Sequence, residues 1–398
     1  MRVRDQLRLA LILVQVPTAL MVLYLDVLSV AATLWRRAPK PSSPRHRFAI
    51  LVPAHNEEQL LPRLLRSINA LDYPRALYDT HVVADNCSDR TAAVAAAAGA
   101  TVHERADAHL RGKGYALRWL VSRVAESGTS YDAYVIVDAD SVVSANFLSV
   151  LNAHLARGDQ AIQSYYGVLN REDSWPAALR YVALALFNGL RPRGRDALGL
   201  STGLRGNGMC FAAPIMKRFG WETFTLAEDV EFHFELVGAD TRVTYAPAAS
   251  VLAEMPASLG QARSQNVRWE RGRLQMLRAY GPRLLREGLR RRDPVRLDAV
   301  AEQLVPPLSI LASVTALTFL LTSVLRARGA QRLAAAVLLG QGAYIITGLR
   351  LARVGRRGYA ALLWAPLYVA WKIGVYAIAA IGIRDSRWIR TARSRKGV

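Results

Sequence analysis

The 398-residue chain carries 52 Lys and Arg against 31 Asp and Glu, a net charge of +21, and 52% of its residues are hydrophobic. That apolar content excludes a disordered chain, and two cysteines, Cys87 and Cys210, exclude a disulfide framework and a four-cysteine zinc cage. Thiols this few fit a reducing, cytosolic face, where each reads as a small packed residue.

Residues 1–36 open the chain. Between positions 9 and 34 the only charge is Asp26, and at ~1.5 Å per residue the run crosses a hydrocarbon layer about 30 Å thick. It ends in Trp35, Arg36, Arg37 and a Pro/Ser linker, with no small-residue cleavage site, so it reads as a transmembrane helix. From 46 to 269 polarity is mixed and turn signals recur, as in a soluble domain. The β-rich runs FAILVPA, THVVAD, TVHE, YVIVDAD and AIQSYY alternate with the helical runs EEQLLPRLLRSINAL, TAAVAAAAGA and KGYALRWLVSRVAES. This alternation predicts an α/β fold with a mostly parallel, Rossmann-like sheet, whose ligands bind beyond the carboxyl ends of the strands.

Residues 270–300 follow as a basic stretch, with nine arginines between 270 and 296 against Glu270, Glu287 and Asp293. Apolar residues at helical spacing make it an amphipathic, interfacial stretch for anionic lipid, with an ordinary solvated basic face as the alternative. Within 301–383, the uncharged runs 305–325 and 333–349 are long enough to span. A third, 359–383, contains Pro366 and Lys372 and either spans or lies in the interface. Residues 384–398 form a basic tail. No nucleic-acid motif is present, so nucleic acid is not an expected partner.

The strand ends hold the polar residues. His55, Asn56, Glu57 and Glu58 follow the first strand, and Asp85, Asn86, Cys87, Ser88 and Asp89 end the second. Asn56, Ser88 or Asp89 would serve as helix N-caps, while acidic and amide groups at adjacent strand ends also suit a nucleobase and ribose. Asp138 and Asp140, two residues apart at the end of YVIVDAD, share one side of an extended strand. Like charges so placed call for a counter-ion, and Mg²⁺ or Mn²⁺ completed by a diphosphate answers that need. Lys113, between Gly112 and Gly114 at a helix start, permits phosphate contact without P-loop spacing. Thr225 and Glu228 stand at capping-box spacing, which leaves Asp229 free as a general base. Gln265, Arg268 and Trp269 fall on one helix face, as an aromatic-anchored interfacial helix or as a diphosphate and sugar site.

In order, VPAHNEE, ADNCSD, GKGYAL, VDAD, LRGNGM, AED and QNVRW closely resemble the motif series of the membrane-bound family-two glycosyltransferases, which include cellulose, chitin and hyaluronan synthases and ceramide glucosyltransferase. The resemblance covers roughly residues 47–270. It implies inverting transfer from a nucleoside diphosphate sugar, UDP being the expected nucleotide, on a glycosyltransferase-A fold. By motif position, Glu57, Asp85, Lys113, Asp138 and Arg268 would bind the nucleotide sugar, Asp140 would hold the metal, and Asp229 would be the catalytic base. Gln265 and Trp269, with Gly206, Asn207, Gly208 and Glu228, would lie on the acceptor side. Ala227 departs from the Thr found there in many polysaccharide synthases, and the few carboxy-terminal segments argue against a large secretion channel. Trp388, Thr391 and Arg393 resemble a gating segment, which needs a cytosolic terminus. Pro366, Lys372 and the basic tail favour that placement.

The leading expectation is a metal-dependent glycosyltransferase in the cell membrane, its catalytic domain cytosolic, acting on a glycan or a lipid. Processive chain synthesis and single transfer to a lipid both fit the Gln-x-x-Arg-Trp motif. A nucleotidyltransferase would not need that motif, and a non-catalytic nucleotide-sugar receptor would not need Asp140, Asp229 and Arg268 together.

Overall fold

A computed structural model of the chain describes residues 3–256 and 258–381. Helix α1 (Val3–Thr33) precedes β1 (Phe48–Ala54), α2 (Leu61–Asn69), β2 (Tyr78–Asp85), α3 (Thr91–Ala97), β3 (Thr101–Arg105), α4 (Lys113–Glu126) and β4 (Ala133–Ile136). Next come β5 (Ser141–Val143), α5 (Phe147–Ala156), β6 (Ala161–Val168), α6 (Trp175–Leu184), α7 (Arg191–Ala197), β7 (Met209–Ala212), α8 (Ala213–Phe219), α9 (Glu228–Gly238) and β8 (Val243–Ala253). Helices α10 (Leu259–Arg291), α11 (Pro294–Leu304), α12 (Leu308–Val324), α13 (Arg328–Leu351), α14 (Arg356–Ala361) and α15 (Ala365–Ile381) follow. A π-helical turn, Ala185–Leu190, joins α6 to α7.

The strands form one sheet in the order β3-β2-β1-β4-β7-β6-β8-β5. Pairing is parallel from β3 through β4 and again between β6 and β8, while β7 runs antiparallel to both neighbours and β5 to β8. The uninterrupted apolar run of β1 reflects burial on both faces. Phe48, Ile50 and Val52 pack with Leu61, Leu64 and Leu65 of α2 and Leu148 and Leu151 of α5. The alternate residues, Ala49 and Leu51, pack with Leu117, Leu120 and Val124 of α4 and with Phe211, Trp221 and Phe232. The sheet thereby carries helices on both sides, with the loops after β1, β2 and β4 at one edge, where parallel sheets gather their ligands.

Three described helical segments are long and apolar enough to cross a membrane: Leu9–Thr33, Arg328–Leu351 and Arg356–Ile378. Run 305–325 differs from its expectation. Its helix, α12, has 17 residues and satisfies that test only together with α11, from which it is bent by 67° at the break before Leu308. Pro366 does not interrupt the last segment, because it is the second residue of α15, where a missing backbone N–H goes unnoticed. Leu13, Leu20 and Val30 of α1 are exposed on its outer side, as lipid-facing residues would be.

The membrane segments grip the sheet domain directly. Gly194 of α7 sits so close to α1 that an added Cβ would lie 2.3 Å from the Leu28 carbonyl oxygen. Tyr24 Oη of α1 donates to Asp298 Oδ1 of α11 at 2.8 Å, and Arg195 Nε of α7 donates to Asp298 Oδ2 at 2.6 Å. Arg195 also pairs with Glu302, whose other oxygen accepts from Arg205 Nη2 at 2.6 Å. All four charged side chains are buried. Helix α11, within the stretch expected to lie in the interface, is thus packed into the protein through Arg296, Asp298, Ala299 and Glu302. Helix α10 is unbroken over 33 residues and carries both the Gln-x-x-Arg-Trp residues and most of the basic stretch.

Candidate active site

Two asparagines shape the loops beyond β1 and β2. Asn56 and Asn86 adopt left-handed backbone, φ 55° and 51°, which Asn tolerates better than most residues. Asn56 is not a helix cap: its Oδ1 accepts from Ser88 N at 2.7 Å and ties one loop to the other. Asp89 Oδ1 instead accepts from Thr91 N at the start of α3, at 3.0 Å. The Glu57 N–H donates to Thr91 Oγ1 at 2.8 Å. Asp85 is buried at the end of β2, where the guanidinium of Arg105 donates to its Oδ1. Arg105 also reaches Asp107 at 3.1 Å and the Leu110 carbonyl at 2.7 Å, so a single arginine fixes Asp85 and the following loop together. Sequence reasoning did not single it out. The signal was in the register: Asp85 and Arg105 are direct partners at the ends of adjacent parallel strands.

Asp138 and Asp140 lie beyond β4, which stops at Ile136, so they belong to a turn and not to the strand expected to align them. The Asn207 side chain organises this turn. Its Oδ1 accepts from Asp138 N at 3.1 Å, its Nδ2 donates to Ser141 Oγ at 2.8 Å, and Ser141 Oγ donates to Asp140 Oδ1 at 3.2 Å. Asn207 is fully buried, and a Cβ on Gly208 would lie 2.0 Å from Ser164 Oγ. These two residues, expected on the acceptor side, therefore stand behind the cavity wall and shape the turn that bears the aspartates. Burial raises the Asp138 carboxyl above the usual range, Lys113 opposes this, and the neighbouring Asp140 adds to it.

Lys113 is the hub. Helix α4 can start beside this site because Gly114 passes over Thr223, whose carbonyl oxygen an added Cβ would meet at 2.2 Å. From there the ammonium reaches Asp138 Oδ1 at 2.7 Å and Glu228 Oε1 at 3.5 Å, and it donates to the Gly206 carbonyl. Burial pulls the lysine down, but Asp138 and Glu228 more than offset that and hold it protonated.

Thr225 donates its hydroxyl to Glu231 Oε2 at 2.9 Å, so the anticipated capping box with Glu228 does not form. Glu228 and Asp229 become the first two residues of α9 and both face the site. Asp229 Oδ1 accepts from Val230 N at 2.9 Å, and its other oxygen lies beside Gly206. Burial, reinforced by Glu228 and opposed by Lys113, pushes the Asp229 carboxyl up to about 7. A carboxylate so tuned can accept a proton near neutrality.

Helix α10 closes the site. Gln265 Oε1 accepts from Arg180 Nη1 of α6 at 2.7 Å, a second partnership the sequence did not announce. Arg268 is half-buried with no ion pair among the described residues, and Trp269 is 38% exposed. One cavity of about 1160 Å³ is lined by Glu57, Asp85, Lys113, Asp138, Asp140, Gly206, Glu228, Asp229, Gln265, Arg268 and Trp269 together. Trp388, Thr391 and Arg393 lie outside the described residues. No cluster of three or more His, Cys, Asp or Glu suited to a metal occurs among the described residues. A divalent cation held by Asp138 and Asp140 would take the rest of its shell from a diphosphate and water, which their hard oxygens fit.

The family model for "Glycosyltransferase like family 2" matches residues 44–272, more than half of the chain. The protein belongs to this family. Among its curated relatives, the probable glycosyltransferase YdaM of Bacillus subtilis is 25% identical over 57% of this chain and 55% of its own length. The β-monoglucosyldiacylglycerol synthase of Trichormus variabilis is 26% identical over 47% of this chain and 40% of its own. The chain thus spans about half the length of the curated relatives it matches. The mannosyltransferase PcManGT of Pyrobaculum calidifontis, solved with GDP-Man and Mn²⁺, aligns over 96% of this chain and 100% of its own with a TM-score of 0.55 at 17% identity, a likeness of fold. That alignment takes in the helices flanking this glycosyltransferase's sheet as well as the sheet itself.

Proposed function

We propose that this family-2 glycosyltransferase moves one sugar from a nucleoside diphosphate donor, UDP being the expected nucleotide, to a lipid acceptor, with inversion to a β-linkage. The observation that carries this reading is the extent of the cavity. The same cavity that Asp138 and Asp229 line is also lined by Val182, Leu308, Ala312, Ile345, Leu362 and Val369, contributed by α6, α12, α13, the turn after α14, and α15. A lipid lying there presents its polar end to the carboxylates while its chain stays among apolar helices.

In this reading Asp229 takes the proton of an acceptor hydroxyl as its oxygen attacks the anomeric carbon. The bond from that carbon to the diphosphate oxygen breaks on the opposite face, and the electron pair leaves with the nucleoside diphosphate. Arg268 faces the departing charge with a guanidinium fork suited to phosphate oxygens. Asp85, fixed by Arg105, and Glu57 meet the nucleoside, while Lys113 keeps Asp138 and Gly206 in register. Mg²⁺ or Mn²⁺, when bound by Asp138 and Asp140, neutralises charge on the diphosphate.

Orientation follows from charge. Arg36 and Arg37 end the first span and α10 is arginine-rich on the same side, so the sheet domain belongs on the cytosolic face of the cell membrane, against anionic lipid. Trp269, exposed on the cavity wall, favours a second reading in which a growing glycan stacks there. Product size separates the two. Lipid-reconstituted protein given labelled UDP- and GDP-sugars with Mn²⁺ or Mg²⁺ is expected to yield a monoglycosylated lipid, and a long polymer in its place would sink the lipid reading.

A further inference from the structure

The cavity changes character between its carboxylate end and its apolar end, and two buried cations stand at the change. Arg180 of α6 is 4% exposed and Lys372 of α15 is 8% exposed. Both line the cavity. Their hydrogen-bond partners are neutral side chains: Arg180 donates to Gln265 of α10 and to the Met255 sulfur, and Lys372 donates to Asn266 of α10. Neither forms an ion pair with a carboxylate among the described residues, and Arg180 Nη2 has no hydrogen-bond partner there. Glu270, an acid of α10 that lines the same cavity, is engaged by Arg273 at 3.2 Å.

Buried charges of one sign without a counter-ion are strongly disfavoured, and amide oxygens answer only part of that cost. Other buried arginines are paired with carboxylates, Arg195 and Arg205 with Asp298 and Glu302 and Arg105 with Asp85, while Arg191, also in the cavity, meets the Tyr344 hydroxyl. At Arg180 and Lys372 no carboxylate among the described residues forms an ion pair, and Glu270 of α10, which lines the same cavity, is shared with Arg273. The position also matters, since Arg180 and Lys372 share their helices with the apolar cavity residues Val182 and Val369, and Arg180 meets Gln265 of the motif helix.

Resting on the lipid-acceptor reading above, we propose that the acceptor lipid carries a phosphate group, held between Arg180 and Lys372, with its apolar tail beyond and its reacting oxygen toward Asp229. A phosphodiester with a free headgroup hydroxyl and a lipid monophosphate share this chemistry. In the first, Asp229 accepts the hydroxyl proton. In the second, Asp229 accepts the proton of the phosphate's own hydroxyl as that oxygen attacks.

The test compares acceptors in reconstituted full-length protein supplied with its donor. Phosphatidylglycerol, a polyprenyl monophosphate, diacylglycerol and soluble glycerol 3-phosphate are given in parallel to the unaltered protein and to Arg180→Gln, Arg180→Lys and Lys372→Met. The expected result is a preference of about tenfold or more for one phosphate-bearing lipid over diacylglycerol, the scale of a charge-assisted hydrogen bond. That preference should shrink in Arg180→Gln and in Lys372→Met and persist in Arg180→Lys. Reading the ratio of two lipids removes any general loss of activity from the disturbed Gln265. Equal or better turnover of diacylglycerol, or a ratio unmoved by both neutralising variants, overturns the phosphate and leaves lipid glycosylation standing. If glycerol 3-phosphate serves as well as any lipid, or if donor is consumed only into a polymer, the lipid-acceptor reading itself falls.

Discussion

Asp229 combines two properties that a carboxylate seldom has together: it is ionised at neutral pH only in part, and it faces a cavity a substrate can enter. With its carboxyl at about 7, the deprotonated fraction falls roughly tenfold per pH unit below that point, so kcat/KM is expected to climb with pH and level off above about 7. A profile flat from pH 5 to 8 would remove Asp229 as the base. Because the folded protein disfavours the ionised form, stability contributed at this position is greatest at low pH and declines as pH rises toward 7. Asp229→Asn should therefore melt at the same temperature as the parent or higher at pH 7.5, while transfer drops by about 10²–10⁴-fold and donor affinity is kept. Arg105 makes the converse case. Replacing it by Met leaves Asp85 buried without its partner, a loss of about 3–5 kcal/mol for a broken buried pair, and donor KM should rise alongside the fall in melting temperature. Sequence made Asp229 easy to find, since paired acids after a capping-type threonine stand out. Arg105 was hard to find, since its meaning comes from a strand register. The part of Asn207 in holding the aspartate turn was not legible, because a Gly-Asn-Gly loop tells nothing of which way the amide turns.

At the level of elements, α4 depends on one missing methyl group. Gly114 lets the helix pass over the Thr223 carbonyl, and Gly114→Ala forces the two backbones apart at the residue beside Lys113. We expect a destabilisation of about 1–3 kcal/mol and at least tenfold weaker donor binding, measured by chemical denaturation and by titration with the nucleoside diphosphate. Unchanged donor binding would remove Lys113 from the site. Strands β1 to β4 and β6 and helices α2 to α4 were legible because short β-rich runs alternate there with helical ones. Strands β5 and β7 have three and four residues, too few to show a period, and β8 takes its partners from β6 and β5 rather than from its own neighbours in sequence. At helix α12 the bend was hidden for a different reason. Hydropathy registers that residues 305–325 are apolar but not that Pro306 and Pro307 bend the path so that α11 stays with the sheet domain.

For the molecule as a whole, the knot of Arg195, Arg205, Asp298 and Glu302 binds α11 to the sheet domain, and Tyr24 of α1 joins the membrane part to it through Asp298. A chain cut after Arg291 keeps every motif residue from Glu57 to Trp269 yet leaves Arg195 and Arg205 buried without carboxylates. It is expected to aggregate, and co-expression of the remainder should restore soluble protein to detergent extracts only if α11 is included. Recovery of a well-folded, donor-binding domain from the cut chain alone would show that the knot is dispensable. The same feature orders events during synthesis. Glu302 leaves the ribosome 97 residues after Arg205, the residue preceding Gly206, so the sheet can close while the loop beside Asp229 still lacks its counter-charge. Until α11 emerges, a nascent chain already tethered by α1 would hold the full motif series without a settled acceptor loop. The enzyme would then begin to work only after its later membrane segments have started to insert, and its lipid chamber would be under construction before the first sugar is moved.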